Sequence, residues 1–454
     1  MGLEKYDVVV VGAGTAGTYT AKTVADAGLK VCMVESKERE KIGAKVCGDA
    51  LGDHHFKKLG LELPRGGELE KRVDGVKIFS PNEETVYTIA DADFVGYMLN
   101  RRLFGQWLLK RAEDAGAVLH ESTMYLDPII EKGFVTGIVA RDPEGKTIEL
   151  ECKVVVDASG FMGVVRRKLP EEMGVEKEIE KGDVGVIYRE IRQLKHEAEN
   201  TKYCEIYLGH EKSPSGYTWI FPGLKAKVNA GLGVKMVKGF TDPKRLYMEH
   251  VLSRPMFEGS ELIHHGTWFD PTRRPLDKMV GNGVMMTGDA AWLVNPLHGG
   301  GIGPSMLSGL LAGQTIAKAL EEDDVSEAGL WSYGSKFMGS YGRSQASTDI
   351  FRILLQATSD TDLNYGMEYK LLTEEDVLNA GFGDEYRLNI TEAARRVFRG
   401  LKRMRFLNKL RLAANMMRQV KEHYDTYPSS PEGFKSWHLK TLNIWDEARR
   451  RLEA

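Results

Sequence analysis

The sequence predicts an α/β fold: a doubly wound parallel sheet, an antiparallel β domain inserted into it, and a helical C-terminal region. Three observations predict it. Residues 6–35 hold an apolar run, a Gly12-x-Gly14-x-x-Gly17 turn, a stretch of helical composition and a second apolar run ending on the acid Glu35. Residues 183–237 are β-rich, in short runs separated by Gly and Pro. Residues 329–454 are mostly helical in pattern.

Each part of the first stretch has a physical task. Residues 6–11 are apolar and β-branched, which suits a buried parallel strand. Gly12 permits a tight turn, Gly14 lets a pyrophosphate approach the backbone, and Gly17, beside Ala16, lets helix and strand pack closely. The phosphates then meet the free N–H groups and positive dipole end of a helix over residues 18–27. Glu35 is placed to accept hydrogen bonds from ribose hydroxyls. Taken alone, this stretch leaves NAD and FAD both open.

The 454 residues are enough for two or three domains. A hydrophobic content of 42% and a charged content of 28% are those of a globular chain, and a formal net charge of −3 gives no pull towards nucleic acid. No apolar run reaches the roughly 18 residues of a membrane span, and the first apolar run lacks the flanks of a signal peptide. Cys32, Cys47, Cys152 and Cys204 are far apart, with no C-x-x-C and no metal-ligand spacing, so the reading is no metal and a reducing, cytoplasmic setting.

Along the chain, residues 36–45 form a polar loop that leads into Val46-Cys47-Gly48-Asp49. Residues 73–90 alternate as a hairpin about Pro81-Asn82. Residues 98–115 read as a helix with Leu99, Leu103, Trp107 and Leu108 on one face. Residues 118–150 are short strands with a turn at Asp142-Pro143-Glu144-Gly145, and residues 154–160 are another buried strand ending in Asp157-Ala158-Ser159-Gly160. Residues 283–289 form a strand ending in Gly288-Asp289, followed by Asn295-Pro296-Leu297-His298-Gly299-Gly300-Gly301-Ile302 and a helix from about residue 305 to 320. The expected domains are a dinucleotide domain in three parts (1–72, 98–170 and 276–328), a substrate-domain hairpin (73–97), the antiparallel substrate domain itself (171–275) and a helical domain (329–454).

The second nucleotide signature chooses the cofactor. Asp289, at a strand end, is placed for a ribityl hydroxyl, which NAD lacks, so the pair of motifs points to FAD. Gly300, Gly301 and Ile302 open a second helix N-terminus, suited to the anionic side of a reduced flavin. Here the chain resembles the FAD enzymes of para-hydroxybenzoate hydroxylase-like fold. That resemblance implies a Rossmann-type FAD domain, with Arg101 (in Arg101-Arg102-Leu103-Phe104-Gly105, where the family pattern ends in Asp) and Asp157 and Gly160 contacting the cofactor.

Two further motifs, Lys45-Val46-Cys47-Gly48-Asp49 and Pro214-Ser215-Gly216-Tyr217-Thr218-Trp219-Ile220-Phe221-Pro222, resemble the markers of the archaeal geranylgeranyl reductases. The likeness runs over essentially the whole chain. It implies reduction of isolated double bonds in geranylgeranyl chains of archaeal membrane lipids or their precursors, with Lys45, Val46 and Gly48 beside the FAD. Tyr217, Trp219 and Phe221 fall at period 2 and face one way on a strand. With Pro222 they are expected to wall the isoprenoid, and their π faces to stabilise cation character. Cys47 is the expected proton source or its neighbour, and His55 is expected to relay its proton or set its charge. No second G-x-G-x-x-G exists, so NAD(P)H binding transiently or ferredoxin supplies the electrons. The rival readings are a flavin aromatic hydroxylase of the same fold and a non-redox flavin lipid cyclase. Finally, residues 395–421 carry ten Lys or Arg and no acid, with apolar residues at helical spacing. This is a basic amphipathic segment for peripheral contact with anionic lipid, or a solvated basic face over a packed helix.

Overall fold

A computed structural model of the chain describes residues 4–90, 95–237, 239, 241–382 and 400–453. Its centre is a six-stranded sheet in the order Val280–Gly281, Val284–Met286, Val154–Asp157, Val8–Val11, Val31–Val34, Val118–His120. All pairs are parallel except the first. Every side chain of Val8–Val11 and Val31–Val34 is buried, as expected for strands covered on both faces. The helix Thr15–Asp26 crosses over one face and packs on the helix Ile302–Glu321.

The inserted domain is a seven-stranded sheet in the order Glu261–Pro271, Val184–Gln193, Lys227–Lys235, Tyr217–Pro222, Tyr203–Leu208, Gly75–Phe79, Val86–Ile89. The hairpin at 75–89 joins it as expected, pairing Val76 with Ile89, and lies parallel to Tyr203–Leu208. Residues 118–151 belong in part to a separate four-stranded sheet, with Gly145 N–H donating to the Asp142 carbonyl at 3.0 Å in the expected turn.

Three helix starts differ from the sequence reading. The first helix begins at Thr15 instead of 18, so Gly17 lies inside it. Met98 and Leu99 lie in the strand Gly96–Leu99, and the helix is Arg101–Asp114. The Asn100 side chain caps it by accepting from the Leu103 N–H, a start signal that the apolar spacing hid. Its buried face is Phe104, Gly105, Leu108, Leu109 and Ala112. The second helix begins at Ile302 instead of about 305, directly after Gly301.

The C-terminal helices are fastened to both sheet domains by buried charge. Arg352, on the helix Arg343–Gln356, bonds Asp349 at 2.7 Å and Asp183 at 3.0 Å. Arg449 and His438, on the last helix Phe434–Leu452, reach Asp183 at 2.7 Å and Asp277 at 2.8 Å. Removing one partner of such a network strands the other charge, at about 3–5 kcal/mol. In the basic segment, residues 395–399 lie outside the described residues. The helix Met404–Tyr424 buries Phe406, Leu407, Ala413, Met416 and Val420, packing on Arg343–Gln356. Among the described residues, no helix is long and apolar enough to cross a membrane.

Candidate active site

One cavity of ≈ 1660 Å³ runs from the carboxyl edge of the six-stranded sheet, past one face of the seven-stranded sheet, to the C-terminal helices. Pockets for single drug-sized ligands hold about 300–1,000 Å³, so this one has room for a dinucleotide and a second molecule.

The dinucleotide end is built by the first glycines. Gly12 has φ +104°, and a Cβ there would lie 2.5 Å from the Ala158 carbonyl oxygen. A Cβ on Gly17 would lie 1.9 Å from the Gly12 carbonyl oxygen, whereas one on Gly14 would meet only open cavity. The three glycines therefore divide their work as the spacing implies. Gly12, Gly14 and Ala16 line the cavity, while Gly17 serves the packing behind it. The Glu35 carboxylate is held at the rim by the Ala13 and Lys37 N–H groups, both at 3.0 Å.

Arg101 reaches back to this turn, donating from Nη2 to Thr15 Oγ1 at 2.7 Å. Its Nε and Nη1 are buried on the cavity wall without a hydrogen-bond partner. Unpartnered guanidinium donors beside a phosphate-type glycine turn are the donor set that an anionic cofactor completes, so the residues fit FAD. The departure from the family pattern at Gly105 has a steric reason. A Cβ there would lie 2.2 Å from Gly43 Cα, in the loop that leads to Lys45.

Three of the expected cofactor ligands do not reach the cavity. The buried Asp157 carboxylate accepts from the backbone N–H groups of Ser159, Val165 and Arg166, and so shapes the loop after its strand. Gly288, with φ +56°, packs on Ala16. Gly17 packs as described. Gly160, Asp289, Gly300, Gly301 and Ile302 do line the cavity. Sequence reading missed Tyr125, whose buried hydroxyl has no partner on that wall, and Asp270. Neither sits in a motif; Asp270 lies in a strand whose other end is exposed.

Lys45 joins the two ends of the cavity. Its Nζ meets Asp289 Oδ2 at 2.6 Å. Burial works against the ammonium charge, but Asp289 and Asp270 outweigh it and raise the Lys45 pKa. Asp270 itself is pushed up to about 6 by burial, with Lys45 opposing and Asp289 reinforcing.

The loop Val46-Cys47-Gly48 runs under the aromatic strand Tyr217–Pro222. Tyr217, Trp219 and Phe221 face the cavity in file, with successive ring centroids 6.1 and 6.4 Å apart. A Cβ on Gly48 would lie 2.9 Å from the Phe221 ring, so only glycine lets the loop approach this closely. Trp219 Nε1 donates to Asn229 Oδ1 at 3.0 Å, and Tyr217 Oη donates to the His298 carbonyl at 2.7 Å. The Arg189 guanidinium clamps the loop, donating to the carbonyls of Cys47 and Lys45, both at 3.1 Å. Burial, then Asp49, pushes the Cys47 thiol up, so it stays protonated at neutral pH. Burial and then Asp270 and Cys47 raise Tyr217 in turn, which puts thiol and phenol in one electrostatic cluster.

Two expectations change here. Pro222 is buried opposite Val228 in the sheet and does not line the cavity, because period 2 turns it to the other face. His55 lines the cavity but lies against Gly303, where a Cβ would be 2.1 Å from its Nδ1. Burial, with His54, His298 and Lys58 adding, lowers it to about 3, so it is neutral. The largest charges acting on the Cys47 thiol are Asp49, Arg101 and Lys45. A neutral His55 puts no charge on Cys47, so it does not set the ionisation of the thiol.

Beyond the aromatic file the walls become apolar: Val76, Ile78, Ile206, Leu355, Leu363 and Met367. Phe406, in the first turn of the basic helix, also lines the cavity.

Comparison with known proteins agrees with this arrangement. Residues 183–267 match the geranylgeranyl reductase catalytic domain, and residues 7–220 match the FAD dependent oxidoreductase family. The chain is 39% identical to a digeranylgeranylglycerophospholipid reductase of Sulfolobus acidocaldarius, over 99% of both chains. It is 32% identical to one of Methanothrix thermoacetophila, over 79% of this chain and 89% of that one. The solved structure of a geranylgeranyl bacteriochlorophyll reductase-like protein from Thermoplasma acidophilum shares the fold with a TM-score of 0.77, at 24% identity, over 91% of this chain and 100% of that one. With two relatives above 30% identity along most of their length, the chain belongs to the digeranylgeranylglycerophospholipid reductase family of FAD-dependent oxidoreductases.

Proposed function

We propose that this protein saturates the isolated double bonds of geranylgeranyl chains in membrane lipids or their precursors, adding a hydride from reduced FAD and a proton from Cys47. One observation carries the reading: a protonated thiol and a file of three aromatic rings sit where the dinucleotide end of the cavity opens into an apolar tunnel.

The chemistry demands both features. An isolated trisubstituted alkene has no carbonyl to accept charge, so hydride delivery needs a proton with it or before it. Bound reduced FAD supplies the hydride. Cys47 holds the proton at Sγ, kept there by burial. The faces of Tyr217, Trp219 and Phe221 steady the cation character that develops on the substituted carbon. The tunnel excludes water, which would otherwise capture that carbon, and draws the chain in at about 0.8 kcal/mol per buried CH₂. A redox partner, NAD(P)H or ferredoxin, would supply the electrons.

The test is anaerobic incubation of the dithionite-reduced protein with geranylgeranyl diphosphate, read by mass. Gains in steps of two hydrogens are the expected result. Isomerisation without mass gain would identify a cyclase instead, and an unchanged substrate would favour a hydroxylase.

We also propose peripheral membrane contact beside Phe406, where the cavity wall reaches the basic helix. Lys402, Arg403, Met404 and Arg405 are exposed beside Phe406, with Tyr369 also exposed nearby in the chain's helical region. The apolar face of that helix is taken up by the core, so lipid contact falls to this rim of cations and not to the helix as a whole. Salt-sensitive sedimentation with anionic vesicles is expected. No binding at low salt would refute the contact.

A further inference from the structure

Asn229 lies on the strand next to the aromatic one, and no motif includes it. Its side chain is a three-way clip. Oδ1 accepts from Trp219 Nε1 at 3.0 Å, while Nδ2 donates to the Cys47 carbonyl and to Asp49 Oδ2, both at 2.9 Å. One buried amide thus ties the aromatic wall, the thiol loop and a carboxyl together.

Asp49 is the unusual member. It is 4% exposed, lines the cavity, and takes the left-handed conformation at φ 61°. Its Oδ2 is held by Asn229 and lies 3.6 Å from Arg189, but its Oδ1 is buried with no hydrogen-bond partner. A carboxylate in that state loses solvation that Asn229, Arg189, Arg101 and the Cys47 thiol replace only in part; a protonated carboxyl loses far less. The groups facing it are Arg189, Arg101, Glu70 and the Cys47 thiol. Burial dominates, Arg189 and Arg101 oppose it, Glu70 adds to it, and the carboxyl is raised to about 6.

We propose that Asp49 is the proton store that recharges Cys47 between turnovers, and that Asn229 is the positioning residue that holds store, thiol and aromatic wall in one arrangement. The inference rests on the reading of Cys47 as the proton donor. When Cys47 gives its proton to the alkene, a buried thiolate remains. The O–H bond of Asp49 then breaks, an S–H bond forms on the thiolate's own electron pair, and Asp49 takes its next proton from water. Nothing is oxidised or reduced in this step. A carboxyl near 6 can reprotonate a thiolate whose own pKa is raised, so the transfer runs downhill.

The experiment compares wild type, Asp49→Asn and Asn229→Asp, each as full-length, dithionite-reduced holoprotein with geranylgeranyl diphosphate. First turnover and steady state are measured from pH 5 to 9. Wild-type kcat should fall as pH rises through about 6, where the store empties. Asp49→Asn should lose that limb and keep a near-normal first turnover, since Cys47 starts protonated. Its later turnovers should be slower by about ten-fold or more, with KM little changed. Asn229→Asp keeps the acceptor for Trp219 but loses both donors, and should show the same split with an unaltered flavin spectrum. Where Asp49→Asn loses its flavin, Asn229→Asp provides the comparison. First and later turnovers that stay equal in these variants, with a wild-type pH profile, would overturn the proposal. A wild type that adds no hydrogen at all overturns the function itself, before any substitution is considered.

Discussion

Replacing Cys47 with alanine is expected to leave FAD bound and to slow alkene reduction by about 10²–10⁴-fold, the range supplied by a positioned general acid. The loop should survive the change, because the bonds that hold it are made by main-chain atoms. The Cys47 and Lys45 carbonyls accept from Arg189, the Cys47 carbonyl accepts from Asn229, and Gly48 packs under Phe221. Only the thiol leaves, and with it the proton that burial, and then Asp49, keep on sulfur. Stability should move by under about 1 kcal/mol, since Cys47 lines the cavity and does not fill the packed core. Visible absorbance of the flavin checks cofactor retention, and product mass under anaerobic conditions checks chemistry. Wild-type turnover in the variant would remove Cys47 from the mechanism.

Gly17→Ala is expected to destabilise the protein even without cofactor, by about 3 kcal/mol at the upper end of the overpacking range, and to abolish FAD retention. The added Cβ would stand 1.9 Å from the Gly12 carbonyl oxygen and 3.2 Å from Ala158 Cβ. Backbone lies on one side and a buried strand end on the other, so no flexible side chain can yield. The helix Thr15–Asp26 must therefore lift from the strand Val8–Val11, carrying its N-terminus away from the phosphates. Gly14→Ala is the informative contrast. Its φ of −75° suits any residue and its Cβ would meet open cavity, so the flavin-free protein should melt as wild type does. Yet the methyl would occupy the approach to the pyrophosphate, and FAD affinity should fall. Thermal melts of FAD-stripped protein, beside FAD titrations, separate the two. Equal melting temperatures for Gly17→Ala and wild type would show that the close packing at Gly17 is not needed.

The parallel sheet was legible because its signals are local. A four-residue strand buried on both faces must be apolar throughout, and a phosphate turn must have glycine where backbone meets backbone. Gly12, Gly17 and the runs at Val8–Val11 and Val31–Val34 carry that information in adjacent positions. The aromatic file was legible for the same reason: period 2 alone aims Tyr217, Trp219 and Phe221 one way and turns Pro222 to the other side. Asp157 was misread because a strand-end acid looks alike in sequence whether it binds a cofactor or satisfies its own loop. The start of the helix Arg101–Asp114 was misread because Met98 and Leu99 fit the apolar spacing of a helix as well as that of a strand.

By itself the sequence determined the dinucleotide sheet, the FAD cofactor and the family, because those rest on short motifs whose residue types are dictated by backbone geometry. Only the tertiary structure decided which groups surround the thiol. Arg101, Arg189 and Asn229 converge on Cys47 and its loop from three separate elements, across separations of up to 182 residues. Burial, the largest influence on both Cys47 and Asp49, belongs to no residue singly: it arises when two sheets and the C-terminal helices close over the same space.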